Sequence, residues 1–320
     1  MDFHIPVTLH PTTSKLELNH TVLSVGSCFA DHISAKLKDY KINSVLHPFG
    51  TLYHPEAIAK ALNPSIEINE DLDLIIKDGV IFHWDTHSKI WGQDIESITD
   101  QYNVAVKKIS NAIRKSDWII VTLGTSFKYV LKHSGRTVAN CHKEPHNNFE
   151  KKLSTSDEIL STLEKMQEFL ITKNPEIQIL YTVSPVRHIR DGLTENHISK
   201  GILLATVKEL TKTPNVHYFP AYEIVMDQLR DYRYFEKDGI HPNPIAIDFI
   251  WAQLQKTWMD EKLQTFVREW HPILSAMNHK SLYPGTKSHK MFITSMIEKL
   301  KNFKYHVDVK TEIKHFESQL

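Results

Sequence analysis

Cysteine is nearly absent from this chain of 320 residues, with Cys28 and Cys141 its only two. Two thiols cannot build a disulfide framework, and they suit a reducing compartment. An excess of either charge is absent too: lysine plus arginine and aspartate plus glutamate each number 38, a formal net charge of zero. A dedicated nucleic-acid or polyanion binder would be expected to show a basic excess, and the whole chain has none. No apolar run approaches the roughly 20 residues that cross a bilayer. The opening stretch, MDFHIPVTLHPTTSKLELNH, lacks the basic and then apolar segments of a secretory signal. Internal repeats and low-complexity linkers are missing as well. These absences predict a cytoplasmic protein with neither membrane nor nucleic acid as partner, and they are silent on oligomeric state.

What is present is ordinary in bulk: 41% hydrophobic and 24% charged residues, in a chain long enough for a sizeable core. The 20 histidines are unusually many and call for a use.

Strand and helix patterns alternate. TVLSVG (21–26) is short, apolar and β-rich, and Phe29, Ile33 and Leu37 then recur on one helical face. INSVLHPFG (42–50) predicts a second strand and HPEAIAKAL (54–62) a helix. Residues 63–100 break the rhythm with a hairpin turning at Asp78-Gly79, which reads as an insertion. Helices are expected over 103–116, 156–174 and 201–213, and strands over 117–126, 177–185 and 216–220. Asn243 before Pro244 marks another helix start. Strands separated by helices imply an α/β fold with a mainly parallel sheet covered on both faces. The division expected is an α/β unit over 1–260, with its insertion at about 63–100, and an amphipathic helical extension over 261–320.

In such sheets, sites form at the carboxyl ends of strands. The first strand ends at Gly26-Ser27-Cys28, so the Ser27 hydroxyl meets the free N–H groups and positive end of a helix. That position suits a nucleophile with an oxyanion donor at the Cys28 amide, and it equally suits a plain helix cap. After the fifth strand, Asp238 and His241 stand three residues apart. A D-x-x-H turn can bring the carboxylate onto Nδ1 and leave Nε2 free as a base.

SVGSCFA (24–30), HPFGTLYHP (47–55), TLGTS (122–126), ANCHK (139–143), TVSPVRH (182–188) and DGIHPN (238–243) occur in that order. Together they resemble the GSCFA family of the SGNH/GDSL hydrolase superfamily, over about residues 21–260. The resemblance implies a flavodoxin-like three-layer fold with a five-stranded sheet of order 2-1-3-4-5. It also implies a serine esterase or acyl-transfer mechanism needing no cofactor, on a small acyl ester of a carbohydrate or other polar alcohol. Ser27 stands at its nucleophile position, Asp238 and His241 at its D-x-x-H block, and Gly50 at the second-block oxyanion glycine. The third block, usually Gly-x-Asn, reads Gly124-Thr125-Ser126 here, which leaves Ser126 or Asn140 to supply the missing donor.

Other residues stay open. Cys28 is an alternative nucleophile. Arg187 and His188 suit a carboxylate or phosphate on the substrate, or an ion pair with a nearby acid. His142, in the ANCHKEPH segment, is expected in a substrate-facing loop. His83, Asp85 and His87 alternate as on one strand face, and Trp84 and Trp91 suit either sugar stacking or a small core. Two rival readings remain: a non-catalytic binding protein on the same scaffold, and a metal-dependent hydrolase built on His133, Cys141, His142 and His146.

Overall fold

The structure, a computed structural model, describes residues 5–320. Its centre is a five-stranded sheet of β1 (Thr21–Gly26), β2 (Asn43–Leu46), β3 (Trp118–Leu123), β4 (Gln178–Val183) and β5 (Val216–Tyr218). Every neighbouring pair is parallel and the spatial order is 2-1-3-4-5, as the resemblance implied. All six residues of β3 are buried, the unbroken apolar run that a strand covered on both faces requires.

Strand periodicity sorts the core into two layers. Leu23, Val25, Ile119 and Val121 point to one face, which α2 (Pro55–Leu62), α3 (Ile95–Lys115), α4 (Ser156–Lys173) and α5 (Leu193–Leu210) cover. Val22, Trp118 and Ile120 point to the other, where α1 (Cys28–Asp39) and α6 (Pro244–Trp258) pack. The C-terminal helices α7 (Glu261–Asn278), α8 (Lys287–Lys301) and α9 (Lys310–Glu317) complete that second layer. Trp270 of α7 is 1% exposed, and its indole N–H donates to the Asp39 carbonyl at 2.8 Å, closing the end of α1. Lys41 lies 5.5 Å over its ring and pairs with Glu312 of α9. Among the described residues no helix is long and apolar enough to cross a membrane.

Three expectations shift. α3 begins at Ile95 rather than 103, because Asp94 and Ser97 form a capping box, so the insertion ends sooner. Its hairpin is as expected, with both Asp78 (φ 51°) and Gly79 (φ 75°) left-handed in a two-residue turn. α5 begins at Leu193 rather than 201; the buried positions of its first two turns are the polar Asn196, Ser199 and Lys200, so no apolar stripe announces them. A second antiparallel sheet, of Phe127–Leu131, Thr137–Val138 and Phe149–Leu153, follows β3 and was not expected. Its lysine-rich strands lack the apolar alternation that betrays a half-buried sheet.

Since Trp270 joins the C-terminal helices to the layer that carries α1, Trp270→Ala should destabilise the whole chain by about 3–5 kcal/mol. Urea unfolding followed by far-UV circular dichroism measures this. A loss well under 1 kcal/mol, on the same scale of large-to-small core substitutions, would make the extension peripheral.

Candidate active site

β1 stops where it does for a steric reason. At Gly26 (φ 128°) an added Cβ would lie 2.1 Å from the Thr122 carbonyl oxygen of β3, so only glycine fits. The Ser27 N–H donates to that same oxygen at 3.1 Å, and the chain then turns up into α1. Ser27 is the N-cap, its hydroxyl accepting from the Phe29 N–H at 3.4 Å. It forms part of the wall of a cavity of about 500 Å³ at the carboxyl ends of the strands, which Cys28, Thr51, Asn140, Arg187, His188 and His241 also line.

The Asp238–His241 turn closes as the spacing suggested. Asp238 Oδ2 is 2.7 Å from His241 Nδ1, while Oδ1 accepts from the backbone N–H groups of Ile240 (2.8 Å) and His241 (3.1 Å). The bond to His241, then these two amides, hold the Asp238 carboxyl down at about 2, so it stays an anion and keeps the proton on Nδ1. Nε2 is thereby left as the free base, in the same cavity as Ser27. No hydrogen bond joins the two side chains in this resting geometry among the described residues. The loop carrying His241 is braced from β4: the Arg187 amide donates to the Ile240 carbonyl at 3.3 Å and its guanidinium to the Gly239 carbonyl at 3.1 Å.

The residues expected as oxyanion donors are placed unequally. The Gly50 N–H donates to the His47 carbonyl at 3.1 Å in a turn, and Gly50 does not line the cavity. Its glycine identity follows from φ 82° and from His87, whose Cβ lies 2.7 Å from where a Gly50 Cβ would stand. Thr51 lines the cavity instead, and its N–H finds no acceptor among the described residues. Ser126 is fully buried and bound at both ends to Ser199 of α5, the hydroxyl to its carbonyl at 2.8 Å and the N–H to its Oγ at 2.7 Å, so it cannot serve. Asn140 lies in the cavity wall with Oδ1 accepting from the His142 N–H at 2.9 Å. That bond fixes the amide's orientation and leaves its NH₂ uncommitted.

His142 is not in a substrate-facing loop. It is 3% exposed, stacked on Phe82 at 4.7 Å, and burial pushes its imidazole down to about 4. His83, Asp85 and His87 do not share a strand face, because the strand ends at His83. His83 stacks on Tyr102 at 4.3 Å, Asp85 pairs with Arg136 at 2.5 Å, and His87 reaches the cavity. Trp84 belongs to a small core with Leu131, Val138 and Phe149, whereas Trp91 is exposed. Among the described residues no three histidine, cysteine or carboxylate side chains converge as metal ligands, the set around Cys141 and His142 included. Burial and the neighbouring Asp31 raise the Cys28 thiol, the opposite of what a thiolate nucleophile needs.

Lys200 escaped the sequence reading. It is 1% exposed beneath the cavity, donating to the Gly124 carbonyl at 2.6 Å and the Ser184 carbonyl at 2.7 Å. These carbonyls follow β3 and β4 directly, so one amine ties together two strand ends that form the cavity wall. The signal was present: Asn196, Lys200, Leu203, Val207 and Leu210 lie on one helical stripe, which places the lysine inside.

The GSCFA family model matches residues 21–254, and a second, the GSCFA domain protein C-terminal domain, matches residues 270–320. Comparison with curated proteins finds no match. Solved structures similar to the chain include a carbohydrate esterase family 3 protein from Talaromyces cellulolyticus, 10% identical, with 78% of this chain and 99% of that one covered and a TM-score of 0.37. A protein from Parabacteroides merdae described as a GDSL-like lipase is 12% identical, covers 76% and 98%, and scores 0.38. An acetyl xylan esterase from Butyrivibrio proteoclasticus is 13% identical, covers 75% and 65%, and scores 0.36. Likeness this remote carries no information about a reaction.

Burial pushes the Lys200 ammonium from 10.5 down to about 7. Between those values the unfolded chain binds a proton that the folded chain does not, so Lys200 makes stability rise with pH across that window. In Lys200→Met that contribution should vanish and overall stability should fall, because two buried carbonyls lose their donor. Urea unfolding of both proteins at pH about 7 and about 9.5 reads the difference. Equal pH slopes would refute the effect.

Proposed function

Because the chain belongs to the GSCFA family, we propose that it is a serine ester hydrolase of the SGNH type. It would act on a small acyl ester of a carbohydrate or other polar alcohol. One observation carries this: Ser27 at a helix N-terminus and an aspartate-oriented His241 share one cavity at the carboxyl ends of parallel strands.

In this reading Ser27 Oγ attacks the ester carbonyl while His241 Nε2 takes its proton. The negative charge that forms on the carbonyl oxygen is met by the amides of Cys28 and Thr51 and the side-chain NH₂ of Asn140, in place of the third-block asparagine. The tetrahedral intermediate collapses as His241 returns the proton to the departing alcohol. Water, or an acceptor alcohol, then attacks the acyl-serine by the same steps in reverse. Asp238 holds the tautomer throughout and takes no proton. The two free thiols fit a reducing, cytoplasmic setting.

A fluorophosphonate probe, read by peptide mass spectrometry, should label Ser27 in the wild type and label neither Ser27→Ala nor His241→Ala. Asp238→Asn, at an exposed loop position, should fold normally and label about 10²–10⁴-fold more slowly. Folded wild type that resists the probe would favour a non-catalytic binding scaffold. Label persisting in Ser27→Ala would place the nucleophile elsewhere.

A further inference from the structure

The chain has equal numbers of acidic and basic residues, yet its cavity does not share that balance. Lys128, Arg187, Arg190 and five histidines line it, and no aspartate or glutamate does. Elsewhere the protein pairs its half-buried cations: Arg136 with Asp73 and Asp85, Lys151 with Asp191, and Lys128 itself with Glu56. Arg187 and Arg190 have no carboxylate partner among the described residues. The Arg187 guanidinium lies over Phe235, 4.0 Å from the ring centre, with Tyr232 at 5.0 Å, and its one side-chain hydrogen bond among the described residues is to the Gly239 carbonyl. The Arg190 side chain has one hydrogen-bond partner among the described residues, the His146 ring, Nη1 to Nε2 at 3.4 Å.

The nearby acids do not neutralise them. Asp238 is bonded to His241, and Asp31, on α1, lies in the field of Lys89, His32 and His87. Three of the five histidines add little charge of their own. Burial pushes His54 down to about 4 and lowers His87, and burial with Lys200 lowers His188. The lysine and arginine side chains of the cavity that lack a carboxylate partner among the described residues are therefore two guanidiniums, groups suited to gripping carboxylate or phosphate by paired N–H donors.

We infer that the ester this cavity takes carries a negative charge, a carboxylate or a phosphate, on its alcohol portion, held by Arg187 and Arg190. The inference rests on the hydrolase reading of the same cavity. The alcohol side follows from geometry: His241 delivers the proton to the departing oxygen, so the alcohol leaves past His241. Arg187 is hydrogen-bonded to Gly239 and Ile240, the two residues before that histidine.

The test compares three acetate esters of one phenol framework: 4-acetoxybenzoate, 4-acetoxyphenyl phosphate and the neutral methyl 4-acetoxybenzoate. Each kcat/KM is normalised to the ester's own alkaline hydrolysis. The wild type should prefer a charged ester by about tenfold or more, as a charge-assisted bidentate contact allows. The carboxylate and phosphate arms tell the two anions apart. The preference should shrink with added salt, fall toward unity in Arg187→Gln, and invert in Arg190→Glu. The Arg190 side chain is exposed, so that variant folds even if loss of the Arg187 brace does not allow the other to fold. Equal normalised rates in an active wild type would overturn the inference and leave the hydrolase standing. If no ester turns over and the fluorophosphonate fails, equilibrium dialysis of 4-acetoxybenzoate against Ser27→Ala decides the anion site alone. Saturable binding lost in Arg190→Glu upholds it, and no saturable binding refutes it.

Discussion

At Gly26 the backbone of β1 presses so closely on Thr122 that a single methyl group would sit 2.1 Å from its carbonyl oxygen. That contact is the constraint from which the site grows. A residue with a side chain would push β1 from β3 at the centre of the sheet, where the register runs Val25 to Val121 and Gly26 to Thr122. Because glycine lets the strands stay in contact to their last residue, Ser27 can donate to Thr122 and leave the sheet in one step. Its hydroxyl then stands at the first turn of α1, where unpaired N–H groups and the helix dipole favour negative charge. The Cys28 amide becomes available as an oxyanion donor for the same reason, being the first N–H of a helix with no carbonyl behind it.

The partners of Ser27 are held by different physics. Lys200 works from below by burial: an amine in an apolar layer binds the carbonyls that end β3 and β4, and those carbonyls would otherwise be buried without donors. His241 works from above and is only partly buried. Its order comes from a dense local network, with Asp238 accepting three N–H groups and the loop tied back to Arg187. The cavity thus has a buried, hydrogen-bonded floor and a locally braced rim.

The sheet, its order and the Ser27 and Asp238–His241 positions were legible because each depends on short-range pattern: apolar runs, a strand-to-helix junction, a turn of fixed spacing. The errors at Gly50 and Ser126 are of another kind. Both residues stand at positions a motif would give an oxyanion role, but a motif does not show whether an N–H is free: Gly50 uses its own in a turn onto His47, and Ser126 is held from far away in sequence. Ser199, which captures Ser126, is 73 residues distant. The same holds for His142, drawn into an aromatic stack with Phe82 that no spacing announces. Lys200 was legible in principle, since its place on the apolar stripe of α5 follows from helical periodicity, but its two acceptors did not.

The helical extension bears on the site through α1. One end of that helix carries Ser27; at the other, the Trp270 indole takes the Asp39 carbonyl and Lys41 pairs with Glu312. The inner faces of α1 and α6 share a single apolar layer with Phe266, Trp270 and Ile293. The first face of the sheet has four helices to cover it, whereas α1 and α6 alone leave the second short of a full layer. A helix whose carboxyl end is satisfied and whose inner face is packed loses more contacts by fraying, so these partners favour the position of its amino end. The 270–320 match therefore falls on a segment that completes the fold and packs against the helix that Ser27 caps.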